Sequence, residues 1–405
     1  EDTVIIAPLL EKTGIAALNV STGWHESTTP FIHMSVPRGN WIFMPEAVKR
    51  VVKIPVIGGT RVNDPILAEQ ILAQNRVDMV YMGRPLFADP ELPNKAKEGR
   101  FDEIRTCIAC NQCFAGIETA EGITCSINYR AGREGDYPIK PAPTPKKVIV
   151  VGGGPAGMEA ARVAALRGHK VTLIEKADKL GGMLRLAAVP PGKGEINEFI
   201  RYLSVQMEKL GVKVQLKRKT TAKGILRGKP DAVIVATGGT PLIPDIPGVR
   251  RRNVVTALDV LSGRKEVGEN VVIVGGGLVG CETAEFLAEK GKRVTIIEML
   301  PRIGNDIIAP NRWVTMQRLR GAGVRMETRA KAEEITKTGV RVARDGKSEF
   351  FEADTIVLAT GLKPDKSLAQ ELQGKVASLH VIGDCAEPGK IINAVEQGFL
   401  AGYKV

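Results

Sequence analysis

The sequence predicts an α/β protein in three parts: the closing strands of a (β/α)8 barrel, a cysteine-rich segment, and two Rossmann-like folds, one inserted in the other. Three observations predict it. One strand–glycine turn–helix–strand motif occurs twice, four cysteines crowd between positions 107 and 125, and the first hundred residues alternate short apolar strands with helical stretches.

Composition sets the frame. The chain has 405 residues, 43% hydrophobic and 25% charged, an ordinary globular mixture whose length predicts two to three domains. No stretch approaches the roughly 18 uninterrupted apolar residues of a membrane span, so no membrane role is expected. The formal charge is +12, with a basic run, KLGVKVQLKRKTTAKGILRGK, at 209–229. Lys alternating with Val or Leu suits a half-exposed strand, and no aromatics interleave as a nucleic-acid surface would need. No nucleic-acid partner is expected. Four of six cysteines fall in one cluster, in a large chain without a signal pattern, which argues for metal chemistry in a reducing compartment; the cytoplasm is the expected location. The opening EDTVIIAPLLEKTG has helical apolar spacing and a stop at Gly14. A chain that opens inside a helix, with no initiating Met, is expected to have sequence upstream.

The repeat carries the chemistry. Residues 148–182 read VIVVGGGPAGMEAARVAALRGHKVTLIEKADKLGG, and residues 271–305 read VVIVGGGLVGCETAEFLAEKGKRVTIIEMLPRIGN, an offset of 123 without a gap. Each copy sits between a strand and a helix and has an acid 23 residues after its first glycine, the context a dinucleotide motif requires. Gly152 and Gly275 permit the tight turn. Gly154 and Gly277 let the backbone approach a pyrophosphate at the positive end of the helix, and Gly157 and Gly280 let helix and strand pack. Glu175 and Glu298 end the second strands, where a carboxylate can accept from ribose hydroxyls. A 2′-phosphate beside Glu298 would be repelled, which favours NADH; Arg302 nearby keeps NADPH possible.

Two further segments, VIVATGG (233–239) and IVLATGLKPD (356–365), each give a strand and a small-residue turn, and LHVIGDCAEPGKIINAVEQGFLAG (379–402) gives a strand, Gly383-Asp384, a loop and a helix. This arrangement resembles the flavoproteins with two dinucleotide-binding domains. The resemblance implies FAD on the first motif and on Gly383 and Asp384, and NAD(P)H on the second. Ala236, Thr237 and Gly238 then fall to the FAD site and Gly361 to the NAD site. Cys281 and Cys385 stand alone beside glycines and read as packing residues, so the redox cysteine pair of the disulfide reductases is absent.

Cys107-x2-Cys110-x2-Cys113-x11-Cys125 can wrap one tetrahedral metal or a cubane cluster. Beside a flavin fold, a redox cluster can split electron pairs where zinc would be only a staple, so a [4Fe–4S] cluster is expected. Upstream, strands at 15–20, 55–58 and 77–82, a helix at 64–74, and Gly58, Gly59, Arg61, Gly83 and Arg84 after strand ends suit the last units of a (β/α)8 barrel and its phosphate site. Such a barrel typically needs about 250 residues, so roughly 150 more are expected upstream.

TGWHES, TRVNDP, GRPLFADPEL, CIACNQC and GGGPAGMEAA, in this order, resemble the NADH:flavin oxidoreductases related to 2,4-dienoyl-CoA reductase, trimethylamine dehydrogenase, and the 2-enoate and bile-acid reductases. The likeness spans essentially the whole chain. It implies an old-yellow-enzyme-type barrel with FMN, a [4Fe–4S] cluster and FAD, with electrons passing from NADH to an activated C=C bond of an enoate, enone or enoyl thioester. It further implies FMN contacts at Arg61, Gly83 and Arg84, and a His25 that polarises the substrate carbonyl or helps deliver a proton. FAD contacts are implied at Ala156, Glu175, Gly182, Met183, Lys193 and Thr220. Met183 stands where the dienoyl-CoA reductase has Gln. The cysteine spacing is that of the amine dehydrogenase, and Ser27-Thr28-Thr29 replaces a basic residue that holds a thioester. The expected boundaries are a partial barrel at 1–104, the cluster segment at 105–145, the FAD domain at 146–262 and 350–405, and the NAD(P)H domain at 263–349.

Among the remaining histidines, His33 reads as a loop residue, His169 as an exposed helix end, and His380 as a satisfied buried imidazole. Arg38 either lines the substrate mouth or is solvated. The alternatives are an amine dehydrogenase and an electron-transfer fragment acting as a diaphorase; the partner is a small unsaturated molecule, with homo-oligomerisation open.

Overall fold

The computed structural model describes residues 2–23, 32–118 and 122–405, in two compact units, Glu1–Tyr137 and Pro138–Val405. In the first unit, strands Leu18–Val20, Val56–Gly58 and Met79–Val80 form a parallel sheet in chain order, with Leu18 opposite Val56 and Ile57 opposite Met79. Consecutive parallel neighbours joined by helices Phe43–Lys49 and Pro65–Ala73 are the local pattern of a (β/α) barrel. Helix Pro65–Ala73 starts where Asp64 accepts from the Ile66 N–H and proline fills the first turn, whose N–H would lack a partner anyway. Its apolar side packs Ala68 and Ile71 against Ile42, Val62 and Val77. Helix Asp2–Glu11 ends before Gly14, whose φ is +86°; it buries Ala7 but leaves Ile5, Ile6, Leu9 and Leu10 exposed.

The second unit holds two five-stranded parallel sheets of the same design. The first runs in the order Ser378–Val381, Ala232–Val235, Lys147–Val151, Lys170–Ile174, Lys213–Gln215. The second runs Arg325–Glu327, Arg293–Ile297, Asn270–Val274, Thr355–Leu358, Val254–Thr256. Each repeated motif supplies the central strand and the neighbour that ends in its acid. The central strands are apolar after their first residue because both faces of each sheet are covered; in the second sheet helices pack on one face, and Ile335, Val340, Val342 and Phe351 pack on the other.

Strands Val254–Thr256 and Thr355–Leu358 belong to the second sheet, so its fold reaches beyond 263–349 on both sides. Strands Lys331–Ile335, Gly339–Arg344 and Lys347–Glu352 add a three-stranded antiparallel sheet, closed by Asp345 and Gly346 with φ of +48° and +77°. Among the described residues no helix is long and apolar enough to cross a membrane.

Two glycines bring the last helix, Ile391–Lys404, onto the first motif's helix, Pro155–Leu166. A Cβ at Gly398 would stand 2.4 Å from Ala156 O, and one at Gly402 2.5 Å from Ala160 O. That approach places Gly383 and Asp384, just upstream, over the first glycine turn: a Cβ on Gly383 would stand 3.0 Å from that of Ala156.

Candidate dinucleotide and cysteine sites

The two glycine turns are built alike. Gly152 and Gly275 have φ of +115° and +107°, and a Cβ on either would strike the carbonyl of Ala236 (2.1 Å) or Ala359 (2.5 Å). Only glycine combines that backbone with that approach. A Cβ on Gly157 or Gly280 would meet the carbonyl of the turn's own first glycine at 1.9 or 2.0 Å, so the helix starts directly on the strand's end. Glu175 accepts from the Gly153 N–H at 2.6 Å and the Ala177 N–H at 2.7 Å; Glu298 accepts from Gly276 and Leu300 at 2.7 and 2.8 Å. Both acids therefore tie their turns to their strands.

Around the first turn, Gly154 faces open space, and Gly182 (φ +52°) packs a would-be Cβ 2.9 Å from Gly154 Cα. The Thr237 hydroxyl is buried without a hydrogen-bond partner, beside Ala236 and Gly238 (φ +82°). An open cradle and an unmatched hydroxyl fit a dinucleotide. Asp384 is half-buried; burial raises its pKa above the usual carboxylate value, and the Gly389 N–H at 3.1 Å only partly offsets that. Met183 caps the short helix Leu184–Ala187, and Thr220 precedes helix Ala222–Arg227. Lys193 pairs with Glu282 at 2.7 Å, so its ammonium already has a carboxylate.

At the second turn, Gly361 (φ +94°) follows strand Thr355–Leu358, and Leu278 N–H donates to Asp306 Oδ1 at 2.9 Å. Sequence reasoning passed over Asp306. One cleft of about 670 Å3 is lined by Arg302, Arg312, Arg320 and Trp313 and by none of the turn glycines. Cys281 and Cys385 are fully buried; burial, helped by the charges of Asp306 and Glu282, pushes the Cys281 thiol up to about 12. Cys281 is therefore not poised as a thiolate.

In the first unit, Cys107, Cys110, Cys113 and Cys125 line one cavity with Arg84, Phe87, Asn111 and Ser126. Ala109 and Asn111 take φ of +49° and +60°, turning the loop at alternate residues. A left-handed alanine costs about 1–2 kcal/mol, and the surroundings here hold it: Asn63 donates to Cys107 O at 2.8 Å, and Arg84 Nη1 to Asn111 Oδ1 at 2.5 Å. Burial first, then neighbouring thiolates, push Cys113 up to about 11 and Cys125 up to about 12. Four thiols packed this way ionise together only with a cation among them. Among the described residues no three His, Cys, Asp or Glu side chains converge as ligands of a single ion. The thiols line one space, and an all-sulfur donor set fits either a tetrahedral ion or an iron–sulfur cluster.

The proposed phosphate residues behave differently. Gly58 and Gly59 are glycines for packing: a Cβ would stand 2.5 Å from Pro45 Cγ or 2.1 Å from Tyr81 O. Arg61, buried with φ +64°, forks onto Val36 O at 2.9 and 2.7 Å. Arg84 reaches Ile32 O and the cysteine loop, and of the three glycines only Gly83 faces open space. His25 lies outside the described residues. Arg38 lies 3.6 Å from Asp64, and His33 is buried against Ser35 at 2.7 Å. His380 is half-buried, with Nε2 3.0 Å from the Ser378 hydroxyl. His169 is not the exposed helix end its basic neighbours predict: it is buried, and its Nδ1 accepts from the Lys146 N–H at 3.0 Å.

Residues 146–398 match the family described as pyridine nucleotide-disulphide oxidoreductase, and residues 15–103 match the NADH:flavin oxidoreductase / NADH oxidase family. The chain belongs to these oxidoreductases. A relative named NADH oxidase, from Thermoanaerobacter brockii, is 44% identical over 99% of this chain and 63% of its own length. A metal reductase of Desulforamulus reducens is 40% identical over 99% of this chain and 65% of its own. The solved structure of a 2-naphthoyl-CoA reductase bound to 2-naphthoyl-CoA superposes with a TM-score of 0.96 at 37% identity, covering 99% of this chain and 62% of that one. The chain thus spans less than two thirds of each relative. Flavin- and NAD(P)H-binding folds are what these oxidoreductases share with it.

Proposed function

We propose that this chain serves an NAD(P)H-dependent flavin oxidoreductase that reduces an activated C=C bond in an enoate, enone or enoyl thioester. The observation that carries the reading is the pair of equivalent glycine cradles in one unit, one open and lined by an unmatched hydroxyl. In this reading FAD takes the first cradle, with Glu175 at a ribose and Asp384 accepting from the ribityl chain. NADH takes the second, with Glu298 disfavouring a 2′-phosphate. Cys107, Cys110, Cys113 and Cys125 hold a [4Fe–4S] cluster, and Arg61, Gly83 and Arg84 stand at the FMN end of the barrel. When bound, flavins supply two-electron exchange with nicotinamide and substrate, and a cluster supplies single-electron transfer.

The protein's own part is to position and to exclude. The glycine turns present amides to pyrophosphates, the acids fix the turns, and the cysteine loop gathers four thiols around one cavity. His25 is assigned hydrogen-bond donation to the substrate carbonyl, where charge builds as the β-carbon is reduced. Support for the substrate class comes from the 2-naphthoyl-CoA reductase likeness, whose ligand is a conjugated thioester.

The test is anaerobic turnover of the full-length protein with NADH against enoates, enoyl thioesters and methylated amines. NADH oxidation coupled to an unsaturated acid or thioester is expected; amine oxidation without it would replace this reading. Cys125→Ser should lose bound iron and retain FAD, and unchanged iron would remove the cluster. His25→Ala should lower C=C reduction on the order of a hundredfold while NADH-driven dye reduction persists.

A further inference from the structure

The second glycine turn carries a carboxylate where the first carries none. Helix Leu278–Glu289 begins at Gly277, and its first amide, Leu278 N–H, donates to Asp306 Oδ1 at 2.9 Å. A Cβ on Gly277 would stand 3.3 and 3.4 Å from the two Asp306 oxygens, whereas one on Gly154 would meet nothing within 4 Å. The 123-residue offset takes Met183 to Asp306, so the two occupy the same place in the repeat. The loops bearing them are anchored alike: Gly181 N–H donates to Gly153 O at 2.8 Å, and Gly304 N–H to Gly276 O at 2.6 Å. At the helix start two things differ: Asp306 stands where the first repeat has Met183, and Leu278 offers an N–H where the matching Pro155 has none.

Two ties hold this carboxylate's surroundings from outside the second fold. Lys390, at the start of the last helix, donates to Asp306 O, and Lys193 pairs with Glu282 on helix Leu278–Glu289. The first-turn amides of such a helix are where a pyrophosphate oxygen rides, and the helix end favours one negative charge there. A carboxylate already on Leu278 N–H satisfies that amide and repels an incoming phosphate.

We propose that Asp306 is an internal anion that competes with NAD(P)H for the second cradle. In the nucleotide-free protein its carboxylate takes the Leu278 amide; the dinucleotide enters by displacing it. The first cradle, with Met183 in the matching place, holds its dinucleotide without a competitor. One fold used twice is thereby set for a resident group at one turn and an exchangeable co-substrate at the other. This rests on the NAD(P)H assignment of the second cradle.

The experiment is calorimetric titration of the full-length holoprotein with ADP-ribose, which cannot be reduced, and anaerobically with NAD⁺. Asp306→Ala should bind ADP-ribose about fivefold tighter or more, and the isosteric, uncharged Asp306→Asn should fall between it and the wild type, with FAD content unchanged. Met183→Asp, with no N–H at Pro155 for the new carboxylate to accept from, should lower FAD occupancy by charge repulsion alone. Equal or weaker ADP-ribose binding by both Asp306 variants, in protein that retains FAD, would overturn the competition alone. If neither wild type nor variant binds ADP-ribose or NAD⁺, the NAD(P)H assignment falls first, and the competition with it.

Discussion

Glu298 directs both carboxylate oxygens at backbone amides, Gly276 on one side and Leu300 on the other, and Glu175 does the same with Gly153 and Ala177. An ionised carboxylate offers about four lone-pair sites, so ribose hydroxyls can be accepted without breaking either bond. The acid thus shapes the turn first and reads the ligand second. His169 is a residue whose environment was not legible. Its run RGHKV looks solvated, yet the imidazole is buried and its Nε2 has no partner. Burial, then the charges of Arg167 and Lys146, lower its pKa below 6.5. The unfolded chain therefore binds this proton more readily, and the stability it contributes is present above about pH 6.5 and lost as pH falls through the folded value. His380 is shifted the same way by burial and by Lys404 and Lys146. Chemical denaturation at pH 7.5 and 5.5 should show lower stability in acid, and His169→Gln should flatten part of that slope. An unchanged slope would mean that His169 takes up its proton equally in the folded and unfolded states.

At the scale of elements, the helix pair Pro155–Leu166 and Ile391–Lys404 depends on two missing side chains. With Cβ clearances of 2.4 and 2.5 Å to backbone carbonyls, Gly398→Ala and Gly402→Ala must push the helices apart. Overpacking of this kind costs about 1–3 kcal/mol, and the displacement would carry Gly383 and Asp384 off the first turn. Lower thermal midpoint with reduced FAD content is expected; wild-type values for both would show that the crossing relaxes without loss. The motif strands and helices were legible because glycine spacing, an apolar strand and a terminal acid each constrain one geometry. Strand Thr355–Leu358 was legible as a strand but not as a member of the second sheet, and Val254–Thr256 was not picked out as a strand, since pairing across a hundred residues is a tertiary choice. The hairpin Gly339–Glu352 did have a local signal, Asp345-Gly346, the pair favoured where two successive residues need positive φ. Asp306 had one too: it appears when the repeat is extended by a single residue beyond Asn305.

For the whole molecule, the two compact units differ in completeness of their sheets. Each five-stranded sheet sets its glycine turn on its central strand, whereas the first unit has three parallel strands among the described residues where a (β/α)8 barrel closes with eight. A polypeptide of these 405 residues is therefore expected to retain about one FAD per chain and little FMN. Flavin extraction and chromatography would check this, and stoichiometric FMN would refute it. Helix Asp2–Glu11 adds a second property. Ile5 is 67% exposed and Leu9 57%, one turn apart on the same helix, with Ile6 and Leu10 beside them. Hydrating such a ridge is unfavourable, and self-association of the polypeptide through it is expected. Sedimentation of this polypeptide should consequently broaden with concentration, and a mild detergent should sharpen it.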